Sequence, residues 1–555
     1  MFRWSSPRTP RLWAAALARA RGPRAGPTAR AFASAPPPRR RRRLAVAAGV
    51  VGAVVAYDFA EAHAVSRSMR SVATLIWIAA DYKLNFREDR DVAALHERVA
   101  GLVYNMLTAN GGLYIKLGQA IAMQSFVLPP AFQRKFATLY DQAPRDDWPA
   151  VEAVLRAELG AAPETVFAWI DHEPVASASI AQVHRAQLHT GEQVAVKVQH
   201  PAIRKQVGWD LGAYRAMVYI YDRWVFDIPL YFTVDYTCRR LESELDFENE
   251  ASNAEAMAAA VASEPALADR VHVPAVYRAL TTPRVLTLEW IDGVSLAEPQ
   301  AVRAAGFDAP WIARTLDDLL GAQVFSWGLV HCDPHPGNIL LRRVGRKRQL
   351  VLLDHGLYIH MPPAFREQYC LLWRRMLEFD DAGVREIVRS WGVGQSDLFA
   401  SAVMLRAYRP AAAEPDDDTA AGRFRRQERL KQAFTSFIED STKMPLELIF
   451  LGRTMRIIQA LNKQLGSPVN RIKILAGWAS SSLVRTPTSW RGRLAAWTRH
   501  LRFLAVVGLS DLGFWLARLR QLLTSSGGFE DVLEAGLRTA ARDNLGIEVR
   551  DVLDS

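Results

Sequence analysis

His331-Cys-Asp-Pro-His-Pro-Gly-Asn338, followed by Leu350-Val-Leu-Leu-Asp-His-Gly356, is the stretch whose reading decides the fold. Asp333 and Asn338 stand five apart, and Pro334 and Pro336 lie between them. Proline lacks the amide proton and clashes with the preceding turn, so no regular helix forms here. The stretch reads as a loop that presents a carboxylate and a carboxamide. Asp354, sixteen residues beyond Asn338, closes an apolar run that reads as a buried strand. Asp and Asn offer the hard oxygen ligands that Mg²⁺ takes, with phosphates and water completing the shell. His331 and His335 have the i,i+4 spacing of a zinc metalloprotease pair, but that pair needs a helix and a Glu after the first His. Cys332 follows it instead, and zinc is set aside. Cys332 itself reads as a small buried residue and not as a redox group.

Outward from this loop, Val183–Leu188 and Gln193–Val198 are short β runs flanking Thr190-Gly191, a hairpin pattern. The second contains Val194-Ala-Val-Lys197. The Asp333/Asn338 spacing is that of the protein-kinase catalytic loop, where the Asp takes the acceptor hydroxyl proton and the Asn holds Mg²⁺. Asp354 falls where a kinase keeps its metal-chelating Asp, and Lys197 where the lysine clamps the α/β-phosphates. Any one of these strings is weak. Three in order, each on its proper element, are a strong signal.

Residues 90–142 read as helices, with a periodic run to Leu107, a break at Asn110-Gly111-Gly112, a second run over Leu113–Phe126 and a third after Pro129-Pro130. Gln206–Ala262 reads as a long helical stretch, Val285–Ile291 as a buried strand, and helices dominate from Pro310 onward. An acidic linker (411–418) and a basic patch (423–431) interrupt them. A small β-containing lobe before a larger helical one is an α+β order of elements. No internal repeat is visible.

The length of 555 residues leaves room for one large enzyme with additions, and 50% hydrophobic and 23% charged residues exclude a disordered chain or a polytopic membrane protein. Three cysteines and no CxxC exclude a disulfide scaffold or structural zinc module. The net charge of +11 is local: Met1–Arg43 holds twelve Arg and no acid, leaving 57 bases against 58 acids in the rest. A nucleic-acid partner is therefore not expected. The basic, acid-free, Arg/Ala/Ser-rich region 1–43 reads as a mitochondrial transit peptide. Leu44–Tyr57 is fourteen uncharged, mostly apolar residues, so 44–60 is a candidate transmembrane segment, though a span takes roughly 20.

Over about 95–475 the chain resembles the UbiB, or aarF-domain, family of atypical protein-kinase-like proteins. Lys116-Leu-Gly-Gln119 matches its KxGQ signature. Ser177-Ala-Ser179 with Ile-Ala-Gln-Val-His184 matches its alanine-rich loop, and Glu244-Leu-Asp246 its ExD element, with Glu250 on the helix that follows. Cysteine in HCDPHPGN, and DHG in place of DFG, point to the subgroup containing the animal aarF-domain kinases 1 and 5. The resemblance implies a two-lobed kinase-like fold: a helical KxGQ extension (90–160), an N-lobe with an insert (161–293), a C-lobe (294–480) and C-terminal helices (481–555).

It also implies roles. Asp333 would be the catalytic base, Asn338 and Asp354 the Mg²⁺ ligands, and Lys197 the phosphate clamp paired with Glu250. Ala178 and Ser179 would line the nucleotide loop, and Glu289 and Ile291 the hinge that meets adenine through backbone. Lys116, with Gln119 beside it, would face Glu244 or Asp246. Lacking glycine, the loop 176–182 approaches phosphates less freely than GxGxxG, so ADP could be favoured over ATP. His355, where kinases carry Phe, puts in doubt how the following turn is held. The activity implied is an ATPase or phosphotransferase with a protein or lipid substrate, or else a low-turnover scaffold. Its setting would be a membrane surface, the inner mitochondrial membrane, in support of quinone or lipid metabolism, and a homodimer is left open. Trp490–Leu522, mixing aromatic and basic residues, suits an interfacial helix or one packed on the kinase lobe.

Overall fold

The computed structural model describes residues 49–50, 52–87, 90–122, 130–136, 145–221, 232–392, 403, 447–485, 490–524 and 527–545. Residues 60–555 form one compact unit and the first 59 another. Of the latter, 49–50 and 52–59 are described, as helix. The presequence 1–43, the linker 411–418 and the patch 423–431 lie outside the described residues. Leu44–Tyr57 lies partly outside them. Among the described residues no helix is long and apolar enough to cross a membrane. The single-pass expectation for 44–60 is left without support: its apolar run is short of a span, and part of it lies outside the described residues.

The compact unit opens with helices α1 (Ala64–Asn85), α2 (Val92–Asn110), α3 (Leu113–Ala122) and α4 (Pro130–Phe136). Asp91 starts α2 by accepting the Ala93 and Ala94 amides, which the helix itself leaves unbonded. Gly111 and Gly112 stop it, both with φ near +60° (63° and 53°), where a side chain would be strained. Two more helices, α6 (Ile203–Tyr221) and α7 (Phe232–Glu244), share a core with this extension around Leu95, Leu107, Tyr114, Phe136 and Leu211. Arg67 of α1 reaches Asp210 of α6 at 2.6 Å inside it.

The small lobe is an antiparallel sheet of β1 (Phe167–Ile170), β3 (Ala181–Leu188), β4 (Gln193–Gln199) and β6 (Val285–Glu289), in that order, with β2 (Ala176–Ser177) paired to β3. Side chains alternate along a strand. Val194, Val196 and Val198 are buried on a core shared with α5 (Trp148–Leu159), which turns Ala195 and Lys197 to the other face. There α8 (Phe247–Ser263) packs Phe247 and Ala251 against Leu286 and Leu288. Among its described residues, the expected helical stretch Gln206–Ala262 holds three helices, α6 to α8.

The large lobe is built from α9 (Ala309–Gly321), α10 (Pro363–Leu377), α11 (Asp381–Ser390), α12 (Glu447–Gln464), α13 (Arg471–Arg485), α14 (Trp490–Thr524) and α15 (Phe529–Leu545). Helices do not dominate throughout, because strands fill 329–360. A sheet runs β5 (Val271–His272), β10 (Lys347–Leu352), β9 (Ile339–Val344), β7 (Val294–Ser295), and β8 (Leu329–His331) pairs with β11 (Tyr358–His360). Leu350, Leu352, Phe325 and Trp373 join one continuous core with Leu475 of α13. The fold is a two-lobed, kinase-like α+β arrangement.

Candidate functional site

Lys197 points from β4 toward α8, with its Nζ 2.8 Å from both carboxylate oxygens of Glu250. Asp246 sets the start of α8 by accepting the Glu248 amide at 3.0 Å, which places Glu250 in the first turn. Burial opposes the charge on Lys197, but Glu250 in contact and Asp354 nearby raise its pKa above the ordinary lysine value. Asn253, further along α8, donates to the His355 carbonyl at 3.0 Å. The helix therefore holds both the lysine partner and the turn after Asp354.

Lys116 of α3 pairs with Glu244, the last residue of α7, at 3.1 Å. Glu244 and Glu250 lie on two helices, separated at Leu245-Asp246, and each serves its own lysine. Asp246 is not the partner of Lys116, because its carboxylate is engaged as the α8 cap. The pKa of Lys116 is raised, first by Glu244 and against burial, then by Asp354 and Asp333. Lys116 thus stands in the field of both acids of the site and is no solvated helix edge. Gln119 lies in α3, and its side chain is outside the described residues.

The loop after β8 is organised by its own backbone. The Asp333 amide donates to His331 Nδ1 at 3.0 Å, and the Gly337 amide to His335 Nδ1 at 3.1 Å. Both histidines of the rejected zinc pair serve the chain itself. Among the described residues, no group of three or more His, Cys, Asp and Glu could hold a metal. Asn338 Nδ2 lies 3.4 Å from the Asp333 carbonyl, leaving the side-chain oxygen as the ligand atom. Asp354 is held well below the ordinary carboxylate range: burial works against its charge, but Lys197, Lys116 and the Gly356 amide, 2.9 Å from Oδ1, favour it. An ionised carboxylate and a carboxamide oxygen fit Mg²⁺, which needs only one or two protein oxygens when phosphates supply others. Cys332 is buried, and burial pushes its thiol up to about 12.

His355 answers for the missing Phe. It is fully buried, donates from Nε2 to the Leu352 carbonyl at 3.2 Å and accepts at Nδ1 from the Tyr358 hydroxyl at 2.8 Å. Burial, helped by His331, pushes its pKa down to about 3, so the ring packs as a neutral group. The turn is held by hydrogen bonds where a kinase uses apolar packing.

At the hinge, burial works against the Glu289 charge, but bonds from His272 (2.8 Å), the Ala275 amide (3.2 Å) and Arg342 (3.1 Å) hold its carboxyl down to about 2. Its side chain is engaged in structure, leaving backbone for a ligand. Ile291 is buried. Ala178 is exposed and Ser179 buried on the turn that follows β2. Sequence reading missed Arg453 of α12, whose Nη2 lies 2.7 Å from Asp333 Oδ1. The adjacent Thr454 donates to the His331 carbonyl at 3.4 Å. Nothing in Leu451-Gly-Arg-Thr454 marks it, since its partner is 120 residues away.

The ABC1 atypical kinase-like domain matches residues 138–388. The chain is 42% identical over 440 residues to the ABC1 family protein C10F6.14c of Schizosaccharomyces pombe, covering 78% of this chain and 82% of that one. It is 31% identical to the AarF domain-containing protein kinase 1 of Xenopus tropicalis, covering 73% and 78%. Among solved structures, the Rv3197–erythromycin complex of Mycobacterium tuberculosis shares 26% identity with a TM-score of 0.45, covering 67% of this chain and 94% of that one.

Proposed function

The chain belongs to the ABC1, or AarF-domain, family of atypical kinase-like proteins, and from that premise we propose that it binds Mg-nucleotide and hydrolyses ATP or transfers its γ-phosphate. The observation that carries this reading is the convergence of Lys197–Glu250 and Lys116–Glu244 on Asp354. Lys197, kept cationic and aimed by Glu250, clamps the α/β-phosphates. Asp354 and the Asn338 side-chain oxygen hold Mg²⁺, which when bound neutralises charge on the transferring phosphoryl group. Asp333 takes the acceptor proton on Oδ2, because Oδ1 is held by Arg453. Asp333 and Asp354 lie close enough to Lys116 to raise its pKa, so α3 stands over the two acids that an acceptor has to reach. The Arg453–Asp333 pair favours a second reading, a nucleotide-binding scaffold with little turnover, since one oxygen of the base is already occupied by a guanidinium.

The setting we propose is a mitochondrial membrane surface and a role in quinone or lipid metabolism. Support for a lipid surface comes from α14: Leu494, Trp497, Leu501, Leu512, Trp515 and Leu519 are all more than half exposed. Steps of three, four and eleven residues put them on one side of the helix, with exposed Arg499, Arg502 and Arg520 close by. An exposed apolar stripe of this length is uncommon on a free soluble chain. The test is ATP turnover by the purified chain, with and without lipid vesicles, beside Asp354→Asn. Phosphate release that Asp354→Asn abolishes supports catalysis. No release from wild type under either condition leaves the scaffold reading in its place.

A further inference from the structure

Directly after β4, His200 lies beneath the alanine-rich turn with its side chain 5% exposed. Its Nε2 is 2.9 Å from the Ala178 carbonyl and its Nδ1 2.6 Å from Asp146 Oδ2, so both ring nitrogens face acceptors. The His200 amide donates to the Ile180 carbonyl at 2.9 Å, and the Ala178 amide closes the turn on the Ala181 carbonyl at 2.8 Å. Asp146 is itself fixed by Gln182, whose side-chain oxygen accepts the Asp146 amide at 2.8 Å and whose nitrogen donates to the Asp146 carbonyl at 3.2 Å. One residue thus holds two carbonyls of the turn, and the turn's own amide at Ala178 is engaged.

A glycine-rich loop works differently: it shifts to offer free amides to phosphates. Here the turn has no glycine, and its amide and carbonyl at Ala178 are bonded inside the protein. Lys197 can reach the first two phosphates without help from the turn. A third phosphate gains from the lid only if the lid moves onto it.

We propose that His200, oriented by Asp146, is a positioning residue that locks the alanine-rich turn and thereby biases the site toward nucleoside diphosphates over triphosphates. This rests on the nucleotide reading above and adds to it the residue pair that sets the preference. Freeing the turn gives the triphosphate contacts it otherwise lacks and leaves the diphosphate little changed.

The experiment measures dissociation constants of the full chain for Mg-ADP and for the Mg complex of a non-hydrolysable triphosphate analogue. His200→Leu and Asp146→Ala are each expected to move the ratio of the two constants about fivefold to tenfold toward the triphosphate, the scale of one net hydrogen bond. Asp146→Asn keeps an oxygen for Nδ1 and is expected to keep the wild-type ratio, a rescue that general loosening would not give. Asp146 is 30% exposed, so its truncation opens no core cavity and serves if His200→Leu does not fold. An unchanged ratio in Asp146→Ala, or equal weakening toward both nucleotides, overturns the proposal. Wild type that binds neither nucleotide sinks the nucleotide reading and this one with it. Amide exchange at 178–181 that His200→Leu does not accelerate sinks the lock alone.

Discussion

Replacing Glu250 with Gln removes the charge that faces Lys197 while keeping size and most of the packing. The pair is buried, at 4% exposure for Glu250 and 17% for Lys197. Breaking a buried pair from one side costs about 3–5 kcal/mol, because the surviving charge is left in a poorly solvating place. Asp354 lies close enough to influence Lys197 and offers partial compensation, which puts the expected loss near the lower end, about 3 kcal/mol. An exposed pair would lose only about 0–1 kcal/mol. The assay is urea denaturation of wild type and Glu250→Gln, together with stabilisation by Mg-nucleotide. Lys197 is expected to turn to Asp354 and compete for the carboxylate that Mg²⁺ needs, so nucleotide stabilisation should fall as well. A loss below about 1 kcal/mol with undiminished nucleotide stabilisation would refute the buried-pair argument.

Lys116→Ala should fail differently from Lys197→Ala. The first removes a cation from the field of Asp333 and Asp354 and should change nucleotide preference or raise autophosphorylation, whereas the second should weaken phosphate binding outright; identical behaviour of Lys116→Ala and wild type would make α3 a passive edge. Cys332 and Cys370, both buried and pushed up to about 12, should resist iodoacetamide at pH 8 in the native chain and react once it is unfolded. Rapid native labelling of Cys332 would mean that the catalytic loop opens. Residues 1–43 fused to a reporter should direct it to mitochondria, and changing their arginines to glutamine should stop this. A reporter that stays in the cytosol argues against the transit-peptide reading.

What sequence reveals about this site depends on how far apart the cooperating residues lie. Asp333 and Asn338 sit in one loop and Asp354 just past the β9–β10 hairpin that follows it, so their spacing alone carries the chemistry. The β4 lysine was legible because alternation along one strand decides which face it takes. Glu250 needed a family resemblance, since its distance from Lys197 spans two inserted helices. The interruption between α7 and α8 at Leu245-Asp246 is what lets Glu244 and Glu250 serve different lysines. Arg453 and the His200–Asp146 pair were invisible for a plainer cause. Each is an ordinary polar residue whose meaning comes from a partner more than 50 residues away, and no local period points there. Both bonds also face the protein and not a ligand. Motifs record the groups that meet substrate, while the groups that hold those in place are free to come from anywhere the fold allows. The lock under the alanine-rich turn is such a group. A loop that looks from sequence merely short of glycine is, in the structure, actively held.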